Sequence, residues 1–377
     1  MSGIPCILMR GGTSKGAYFL ASDLPAEREA RDDLLLRVMG SPDARQIDGI
    51  GGAHPLTSKV AVVAPSPDDG ADVDYLFLQT GVDEAFVSDR QNCGNIIAGV
   101  GPFAVERGLV AAADGTTSVR IRMLNTGGYA TATFATPGGV VDYDGDSTHG
   151  RRLAIDGVPG SAGAIALDFE GIAGSTAGAL FPTGQARDEI DGVAVTCVDN
   201  GMPSVLFRGA DLGIDPGASP DALDADAALA DRLERLRLAA AERMGLGDVA
   251  GATIPKLVAI AEPRAGGALS TRTFLPQGGR GFRTHTSIGV LGALTVAAGV
   301  ATPDSVGAGV VASPRPGDPF VVEHPTGHFD VDVAVERSAD GWRVTRSVAL
   351  RTARKLFEGT VYPRPRLENA PSERTPA

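Results

Sequence analysis

Cys93 is the first residue whose type and position suggest chemistry. It is followed by Gly94 and Asn95, directly before an apolar segment that predicts a helix over residues 96–109. The unpaired N–H groups at a helix start favour the thiolate and lower the pKa of a nearby thiol. A lone cysteine is usually an inert core residue, but a start rich in Gly and Asn favours a functional role. Cys6 and Cys197 fall within strand-like runs and are interpreted as core residues.

Lys59 is the second candidate for proton transfer. It follows Thr57 and Ser58 and opens the apolar run Val60–Val63, which predicts a strand. A lysine is seldom buried without a partner, and loss of solvation lowers the pKa of its amine, so that it can act as a base near neutral pH. The alternative is a lysine at a strand edge, where its charge discourages pairing with other chains.

Two segments without a polar face are predicted to be buried helices, at 96–109 and 287–300. Pro102 predicts a kink or a break in the first of them. The unpaired N–H groups at each start are suited to bind a carboxylate. The polar residues at the two starts, which are candidates for contact with that carboxylate, are Asn95, His285, Thr286 and Ser287.

Gly-rich turns and arginines supply further candidates for binding a carboxylate. The turn at 9–16 lacks the residue order of a phosphate-binding loop, so a nucleoside triphosphate site is not predicted. A similar turn lies at 199–203, and two arginines precede the second buried helix. Each arginine is either a bidentate carboxylate ligand or an ordinary solvated side chain. The candidates from these segments are Arg10, Ser14, Asn200, Arg272 and Arg283.

The sequence also repeats itself weakly. Three pairs of segments match in the same order, with slowly growing offsets: 16–24 with 204–212, 96–108 with 287–299, and 124–128 with 324–328. Chance similarity among Gly-rich turns is the alternative. The preferred interpretation is two similar halves, 1–185 and 186–362, followed by a tail at 363–377 that is rich in Pro and Arg and is predicted to be flexible.

Most regular segments within the halves predict short strands. Two surface helices are predicted as well, one from Pro25 to Gly40 and one from Ser219 to Gly245. The inward side of the first is assigned to Ala30, Leu34 and Val38. The predicted fold class is therefore α+β, with a buried helix wrapped by strands in each half. The predicted strands are Val60–Val63, Tyr75–Leu78, Val119–Met123, Val193–Val198, Leu257–Ile260, Phe320–Glu323 and Phe329–Val335.

Composition narrows the class of protein. The chain has 377 residues, which suits two domains, and it combines a formal net charge of −12 with 5% aromatic residues. Nucleic-acid binding needs clustered basic residues and aromatic stacking platforms, so this composition argues against it. No apolar run approaches the roughly 20 residues that span a bilayer. Three cysteines without a secretory leader indicate a reducing, cytoplasmic setting.

A metal site built from protein side chains is not predicted. The sequence contains no Cys-x-x-Cys pair. His324 and His328 are separated by Pro325 and Gly327, which argue against a helix that would bring both histidines to one face. What remains is an acidic two-domain protein, predicted to be an enzyme that acts on a small molecule.

The chain resembles the PrpF-type isomerases over nearly its whole length. The segments that carry the resemblance are Met9–Gly16, Gly40–Asp43, Gln46–Gly52, Thr57–Lys59, Asn92–Asn95 and Ser287–Val290. Further segments make the chain most similar to the branch that acts on 4-oxalomesaconate in gallate and protocatechuate breakdown; they are Asp199–Pro203, Leu246–Asp248 and Arg272–Phe274. The resemblance implies a diaminopimelate-epimerase-like fold with two pseudo-symmetric domains. Each would be a strand barrel around a central helix, with the active site between them.

The resemblance also implies chemistry without a metal or an organic cofactor, with Lys59 and Cys93 as catalytic residues. We expect a 1,3-proton transfer on an unsaturated tricarboxylic acid, in which Lys59 is the main base and Cys93 its partner. An isomerase of aconitate or 2-methylaconitate and a non-catalytic polycarboxylate-binding protein are the alternatives. The oligomeric state stays open, with a homodimer as one option. The residues expected to bind the substrate are Arg10, Ser14, Thr57, Ser58, Gly94, Asn95, Asn200, Arg272, His285, Thr286 and Ser287.

Overall fold

Short strands dominate the first half of the chain. The computed structural model describes residues 3–89, 92–277, 281–312, 319–339 and 341–366. The helices of the first half are α1 (Arg28–Met39) and α2 (Val100–Glu106), and a 3-10 helix at Ile96–Gly99 leads directly into α2. The strands are β1 (Ile4–Gly11), β2 (Ser14–Leu20), β3 (Lys59–Pro65), β4 (Val73–Thr80), β5 (Val87–Ser88), β6 (Gly115–Met123), β7 (Tyr129–Thr136), β8 (Arg152–Leu153) and β9 (Ala162–Glu170).

The second half has the same character. Its helices are α3 (Pro220–Asp224), α4 (Ala227–Arg243) and α5 (Val290–Ala301). Each of the predicted strands lies within an observed strand, so these predictions are confirmed. The strands of this half are β10 (Asp188–Ile190), β11 (Val193–Val198), β12 (Ser204–Arg208), β13 (Lys256–Ala261), β14 (Leu269–Pro276), β15 (Phe282–Thr284), β16 (Phe320–His324), β17 (Gly327–Ser338) and β18 (Gly341–Val361).

Strand pairing follows the same order in both halves. In the first, β1 pairs antiparallel with β2, β2 parallel with β3, and β3 antiparallel with β4; β4 then pairs parallel with β6, and β6 antiparallel with β7. In the second, β11 to β14, β16 and β17 repeat this order with the same directions. This agreement supports the repeat inferred from the sequence, because chance similarity among turns would not reproduce strand directions.

Side chains alternate between two hydrophobic layers along the strands of each half. One face of β3 and β4 packs against α2, and the other packs beneath α1. The inward residues are Ala61, Val63, Tyr75 and Phe77, and the outward residues are Val60, Val62 and Leu78. The second half repeats the arrangement, with Val258 and Ile260 in the core around α5, and Leu257 and Phe274 in the core with α4. Each inner helix is therefore enclosed by strands.

The long strand β18 joins the two halves. Its residues 341–349 pair with β17 of the second half, whereas residues 348–352 pair with β9 and residues 353–361 with β1 of the first. The sheet around α2 is thus completed by the C-terminal strand. In this respect the strand pattern departs from a simple division of the chain at residue 185.

The inner helices differ in detail from their predicted bounds. The first begins as the 3-10 turn Ile96–Gly99 and becomes α-helical at Val100, with Pro102 in the first α-helical turn. The predicted break at Pro102 is wrong, because that turn needs no N–H from its residues. The second helix begins at Val290 rather than at residue 287, since Gly289 is still extended (φ −73°, ψ 155°).

The surface helix predicted from Ser219 to Gly245 is two helices. Ser219 caps α3, and the side chain of Asp226 accepts a hydrogen bond from Leu229 N at 2.9 Å and starts α4. An aspartate cap of this kind satisfies a free N–H group and starts a new helix. The first surface helix ends at Gly40 as predicted, in a left-handed conformation (φ 82°).

The predicted flexible tail, 363–377, lies partly outside the described residues. Residues 363–366 are described, and they contact α1. The backbone N–H of Arg364 donates to the carbonyl of Arg37 at 3.4 Å, and Arg366 Nε lies 3.1 Å from a carboxylate oxygen of Asp33. The first residues of the tail are therefore packed, in contrast to the prediction.

The described ranges contain neither a helix that could span a membrane nor a cluster of side chains that could bind a metal ion. Every helix in them is too short or too polar to cross a bilayer. No three His, Cys, Asp or Glu side chains in these ranges come together as metal ligands would. His324 and His328 lie on the two strands of the β16–β17 hairpin.

Candidate active site

Lys59 lies at the mouth of the first barrel. It opens β3, where it pairs with Gly16 of β2 and Gln79 of β4. Its side chain is 6% exposed, and its Nζ donates to Gln79 Oε1 at 2.8 Å and lies 5.0 Å from the centroid of the Phe77 ring. Within the described ranges no carboxylate forms an ion pair with Lys59. Its amine is therefore free to interact with an acid from outside the chain.

Gln79 fixes the position of the Lys59 amine. Its own Nε2 donates to three carbonyl oxygens, those of Ser58 at 2.9 Å and of Pro55 and Thr80 at 3.1 Å. These bonds leave Oε1 directed at the lysine. Sequence reasoning did not single out Gln79, although period-two alternation from Tyr75 places it on the inward face.

Cys93 lies beside the start of the first inner helix. Its carbonyl accepts the N–H of Ile97 at 3.1 Å. The side chain is partly buried in a tight pocket between the two halves, because one wall is Leu291 of α5. Burial raises the pKa of Tyr75 well above its usual value, so its hydroxyl stays neutral. The other residues that line this pocket are Tyr75, Asn92, Gly94, Ile97, Met123 and Phe169.

The Lys59 amine and the Cys93 pocket both lie against inward residues of β4. Phe77 lies beneath the Lys59 amine, and Tyr75 lines the Cys93 pocket. These two aromatic residues both face inward on β4, and two residues along a strand span about 7 Å. A small planar acid could therefore contact both groups.

The Gly-rich turn after β1 packs against the same helix start. A Cβ at Gly11 would collide with the carbonyl of Asn95, and one at Gly12, where φ is +50°, would collide with the Asn95 side chain. Asn95 Nδ2 in turn donates to Thr13 Oγ1 at 3.1 Å. Glycine is thus needed here for both close approach and backbone conformation.

Four buried polar atoms around this mouth and the Cys93 pocket lack a partner within the described ranges. They are Ser14 Oγ, on a residue 2% exposed, Tyr75 Oη, Asn92 Oδ1 and Asn95 Oδ1. Ser14 lies two residues before Gly16 and four before Tyr18, so it shares the inward face of β2. Buried polar groups are normally satisfied, so these atoms are suited to hydrogen bonds with a bound substrate.

The second helix start presents a parallel set of groups. The backbone N–H of Ser287 donates to His285 Nδ1 at 2.9 Å, and Ser287 Oγ lies 3.3 Å from His324 Nε2. The carbonyl of Thr286 accepts from Thr326 Oγ1 at 2.8 Å. Burial lowers the pKa of both His285 and His324, the latter to about 4, so both rings are neutral at pH 7.

Ser287 occupies the position that Cys93 has in the first half. Each lies two residues before the residue that precedes its inner helix, Asn95 in one half and Gly289 in the other. The neighbouring turns also correspond, since Asn92 donates to Thr126 at 2.7 Å, much as Thr326 donates to Thr286. The second half therefore places a hydroxyl where the first places a thiol.

The two helix starts meet. A Cβ at Gly94 would lie 2.5 Å from Cβ of Val290, the first residue of α5. Leu291 also closes the pocket of Cys93. The first helix start therefore lies against the second. The region around this contact, with Ser14 and Lys59 on the side of the first half and His285, Thr286 and Ser287 on the side of the second, is called the cleft below.

Two predicted arginines lie away from this cleft. Arg10 donates to the carbonyls of Gly12 and Thr352 and to Thr352 Oγ1, and it borders a separate cavity of about 290 Å³ next to Arg354. Arg272 alternates with the inward Thr271 and Thr273, and donates to the carbonyl of Ala218 at 3.1 Å. Nη1 of Arg10 and the Nε and Nη1 groups of Arg272 bind the chain itself, and the assignment of both arginines as carboxylate ligands stays a prediction.

Three other residues predicted to bind the substrate instead form hydrogen bonds within the chain. Ser58 is fully buried and donates to Gln46 Oε1 at 2.7 Å. Thr57 donates to the carbonyl of His54 at 3.2 Å. Asn200 is fully buried and donates to the carbonyl of Leu294 in α5 at 3.3 Å. These contacts hold the Lys59 strand and the second helix in place.

The family of the chain follows from comparison with known proteins. The sequence pattern of the PrpF protein family matches residues 1–364. The chain belongs to the PrpF family. Among similar proteins, the (4E)-oxalomesaconate Δ-isomerase of Novosphingobium sp. (strain KA1) is 52% identical over 363 residues, covering 96% of this chain and 98% of that protein. The 4-oxalomesaconate tautomerase of Pseudomonas putida is 53% identical over 360 residues, covering 95% of each.

Solved structures agree with this membership. The crystal structure of a methylitaconate Δ-isomerase superposes on this PrpF-family chain with a TM-score of 0.85 at 32% identity, covering 96% of both chains. A hydroxyproline epimerase from Agrobacterium vitis superposes with a TM-score of 0.54 at 14% identity, covering 95% of this chain and 92% of that one. The predicted epimerase-like fold is thereby confirmed.

Proposed function

We propose that this PrpF-family protein is an isomerase that moves a double bond in 4-oxalomesaconate by proton transfer. The observation that carries the proposal is that the Lys59 amine and the Cys93 side chain both lie against inward aromatic residues of β4, and that neither forms an ion pair with a carboxylate in the described ranges. Two relatives that are more than half identical over nearly the whole chain carry this substrate in their names. Both lines of support point to the same class of reaction.

The chemistry needs a base at one carbon and an acid at the carbon two positions away. In the keto form of 4-oxalomesaconate, one C–H group lies between a carbonyl and an alkene and is therefore acidic. We assign its removal to Lys59, which gives a dienolate, and proton return to Cys93. Return to the far carbon gives 2-keto-4-carboxy-3-hexenedioate, and return to oxygen gives the enol. A positioned acid or base contributes roughly 10² to 10⁴ in rate.

The negative charge of the dienolate needs donors that are in place before the reaction. The two helix starts provide N–H groups and a partial positive charge, and Ser14 and Asn95 provide polar atoms without partners in the described ranges. The chain carries a net charge of −12, so it has to bind a tricarboxylate through local positive charge, such as the partial charge at the two helix starts.

A second candidate is an isomerase of 2-methylaconitate or aconitate. It belongs to the same reaction class, a shift of a carbon–carbon double bond, as the methylitaconate Δ-isomerase to which this chain is structurally similar. Allylic proton transfer on such an acid requires the same amine, thiol and anion-binding groups. The distinction lies in which acid fits the cleft.

The three cysteines are free, which supports the proposal of a cytoplasmic enzyme, where thiols stay reduced. The two-domain boundary near residue 185 and a homodimer stay predictions. Light scattering coupled to size exclusion measures the oligomeric state directly.

Direct assay decides the substrate. We expect the purified protein to convert 4-oxalomesaconate, followed by ultraviolet absorbance and by NMR in D2O, with deuterium entering the new C–H position. Turnover of 2-methylaconitate or aconitate should be at least about tenfold slower in kcat/KM, which corresponds to 1.4 kcal/mol in transition-state binding. Faster turnover of either of these acids would transfer the assignment to the second candidate.

A further inference from the structure

The second half has a lysine at the position that Lys59 occupies in the first. Lys59 opens β3 and pairs in parallel with Gly16 of β2. Lys256 opens β13 and pairs in parallel with Ser204 of β12. Because β2–β3 and β12–β13 are corresponding units of the repeated sheet, the two lysines are structural counterparts.

The side chain of Lys256 belongs to the inward face of its barrel. Val258 and Ile260 follow at alternate positions and pack in the core around α5, so Lys256 starts the same row. Thr273 pairs with Val258 across the ladder and shares this face. Its hydroxyl is buried without a hydrogen-bond partner in the described ranges, on a residue 6% exposed. An amine and an unpartnered hydroxyl thus line the second mouth.

Lys256 also lies next to the second helix start. Its backbone N–H donates to the carbonyl of Pro203 at 2.9 Å, and the turn before Pro203 is bound to α5 through Asn200. Burial, and then the charge of Lys256, lower the pKa of His285. Since His285 accepts the N–H of Ser287, the lysine lies near the second helix start.

Lys256 is a cation without a counter-ion among the described residues. The chain has only four lysines among its 34 basic residues, and Lys355 forms ion pairs with Glu106 and Glu358. Lys256 Nζ instead donates to the carbonyl of Thr253 at 2.6 Å. Burial lowers the pKa of this amine to about 8, so it is mostly protonated at neutral pH. A carboxylate would supply the missing negative charge.

We propose that Lys256, with Thr273 beside it, binds a substrate carboxylate from the second half of the cleft, while Lys59 acts on the other end of the molecule. The identity of the substrate rests on the proposed function. What is new is the carboxylate-binding site formed by Lys256 and Thr273. This site explains how an acidic chain selects an acid with a carboxylate at each end. Charge-assisted hydrogen bonds of this kind are stronger and more selective than neutral ones.

The test separates binding from turnover. Lys256→Gln removes the charge but keeps an amide that can donate to Thr253, Lys256→Arg keeps the charge, and Lys355→Gln is the matched lysine control. Calorimetry measures the Kd of each for tricarballylate, a saturated tricarboxylate that cannot isomerise. Steady-state assays with 4-oxalomesaconate give KM and kcat.

We expect Lys256→Gln to raise both the Kd for tricarballylate and KM by about tenfold or more, the usual effect of losing a hydrogen bond to a charged group. Its kcat should stay within about threefold of wild type. Lys256→Arg should retain most of the affinity, and Lys355→Gln all of it. Thr273→Val should weaken tricarballylate about threefold, and it provides a second variant should Lys256→Gln not fold.

An unchanged Kd in Lys256→Gln would overturn the proposal. A fall in kcat with Kd and KM unchanged would overturn it as well, because the lysine would then act in proton transfer. Should Lys256→Gln not fold, an unchanged Kd in Thr273→Val would do the same. Because tricarballylate binding needs no turnover, a protein that binds it through Lys256 but does not convert 4-oxalomesaconate would refute the proposed function alone.

Discussion

Gln79 determines what the Lys59 amine can contact. Its amide accepts one hydrogen bond from Nζ and is itself held by three backbone carbonyls. The Phe77 ring covers the amine from one side. A neutral amide orients the lysine without adding a negative charge, so the amine keeps its capacity to attract a substrate carboxylate and to exchange a proton. A carboxylate at position 79 would instead favour the charged amine.

Replacing the two proposed catalytic groups should separate their steps. We expect Lys59→Met to lower kcat on 4-oxalomesaconate by at least about 10²-fold, since a general base contributes at least this much. Cys93→Ser should lower kcat similarly but retain exchange of the acidic C–H with solvent deuterium, because the base is still present. NMR in D2O measures exchange and turnover together.

Cys6→Ser is the control for loss of a thiol outside the cleft, since Cys6 is buried in the core beneath α1. Turnover by Lys59→Met at the wild-type rate would refute the assignment of the base. Loss of solvent exchange in Cys93→Ser would assign the first proton removal to the thiol.

The sequence identifies candidate residues when the adjacent residues in the chain are distinctive. It does not identify residues whose role depends on contacts with distant parts of the chain. Lys59 and Cys93 each stand at an abrupt change from polar to apolar sequence, and in the structure both lie against inward residues of β4. Arg272 has no such signal, because both faces of β14 are buried and alternation does not tell inside from outside. Lys256 also begins an apolar run, but its significance depends on the register with Ser204, which local sequence does not encode.

At the scale of elements, the cleft depends on the contact between the two inner helices. α5 has no polar face, and nine of its residues are buried. Strands enclose it and α2, so each helix start is held rigidly at its barrel mouth. The distance between the two starts is therefore set by Gly94 and Val290, which are in direct contact.

Gly94→Ala should disturb this spacing. The added Cβ would lie 2.5 Å from Val290 Cβ, so the helix starts would have to separate by about 1 Å to restore ordinary contact. A displacement of this size costs up to about 10²-fold in rate, and we expect kcat/KM to fall at least about tenfold. Steady-state kinetics measure the effect.

The matched control is Gly292→Ala in α5. Its new Cβ would meet Ile288 at 3.5 Å, an ordinary contact, and alanine stabilises a helix interior by about 1 kcal/mol relative to glycine. Activity should stay within about twofold of wild type while the melting temperature rises. If Gly94→Ala were as active as this control, the contact between the helix starts would not govern the cleft.

Element types followed from periodicity, whereas helix faces and ends required the tertiary structure. In α1 the fully buried side chains are Leu35, Val38 and Met39, so the predicted stripe through Ala30 and Leu34 is displaced by one residue. Several apolar residues follow one another there, and more than one helical face fits the pattern. Packing against β4 and β5 selects the face.

At the scale of the whole molecule, β18 makes the two halves interdependent. This strand of 21 residues pairs with β17, β9 and β1 in turn. Its pairing with β1 joins the two ends of the chain, which contributes the kind of long-range contact that sequence patterns do not reveal. The fold was therefore predictable as two similar barrels, but the strand that completes the first barrel was not.

The histidine at the junction of the halves should make stability depend on pH. Burial lowers the pKa of His324 to about 4, against 6.5 for the free side chain, while Asp156 and the backbone at His328 oppose the shift and His285 and Arg351 add to it. Between these values the unfolded chain binds a proton that the folded chain does not, so folding stability is present above pH 6.5 and is lost as the pH falls towards 4. A shift of this size corresponds to about 3 kcal/mol.

We expect urea unfolding to show that wild type loses about this much more stability than His324→Gln between pH 7 and pH 4. An equal loss of folding stability in both proteins would show that the buried imidazole is not the group that titrates. Gln is the appropriate replacement because its amide can still form a hydrogen bond with Ser287.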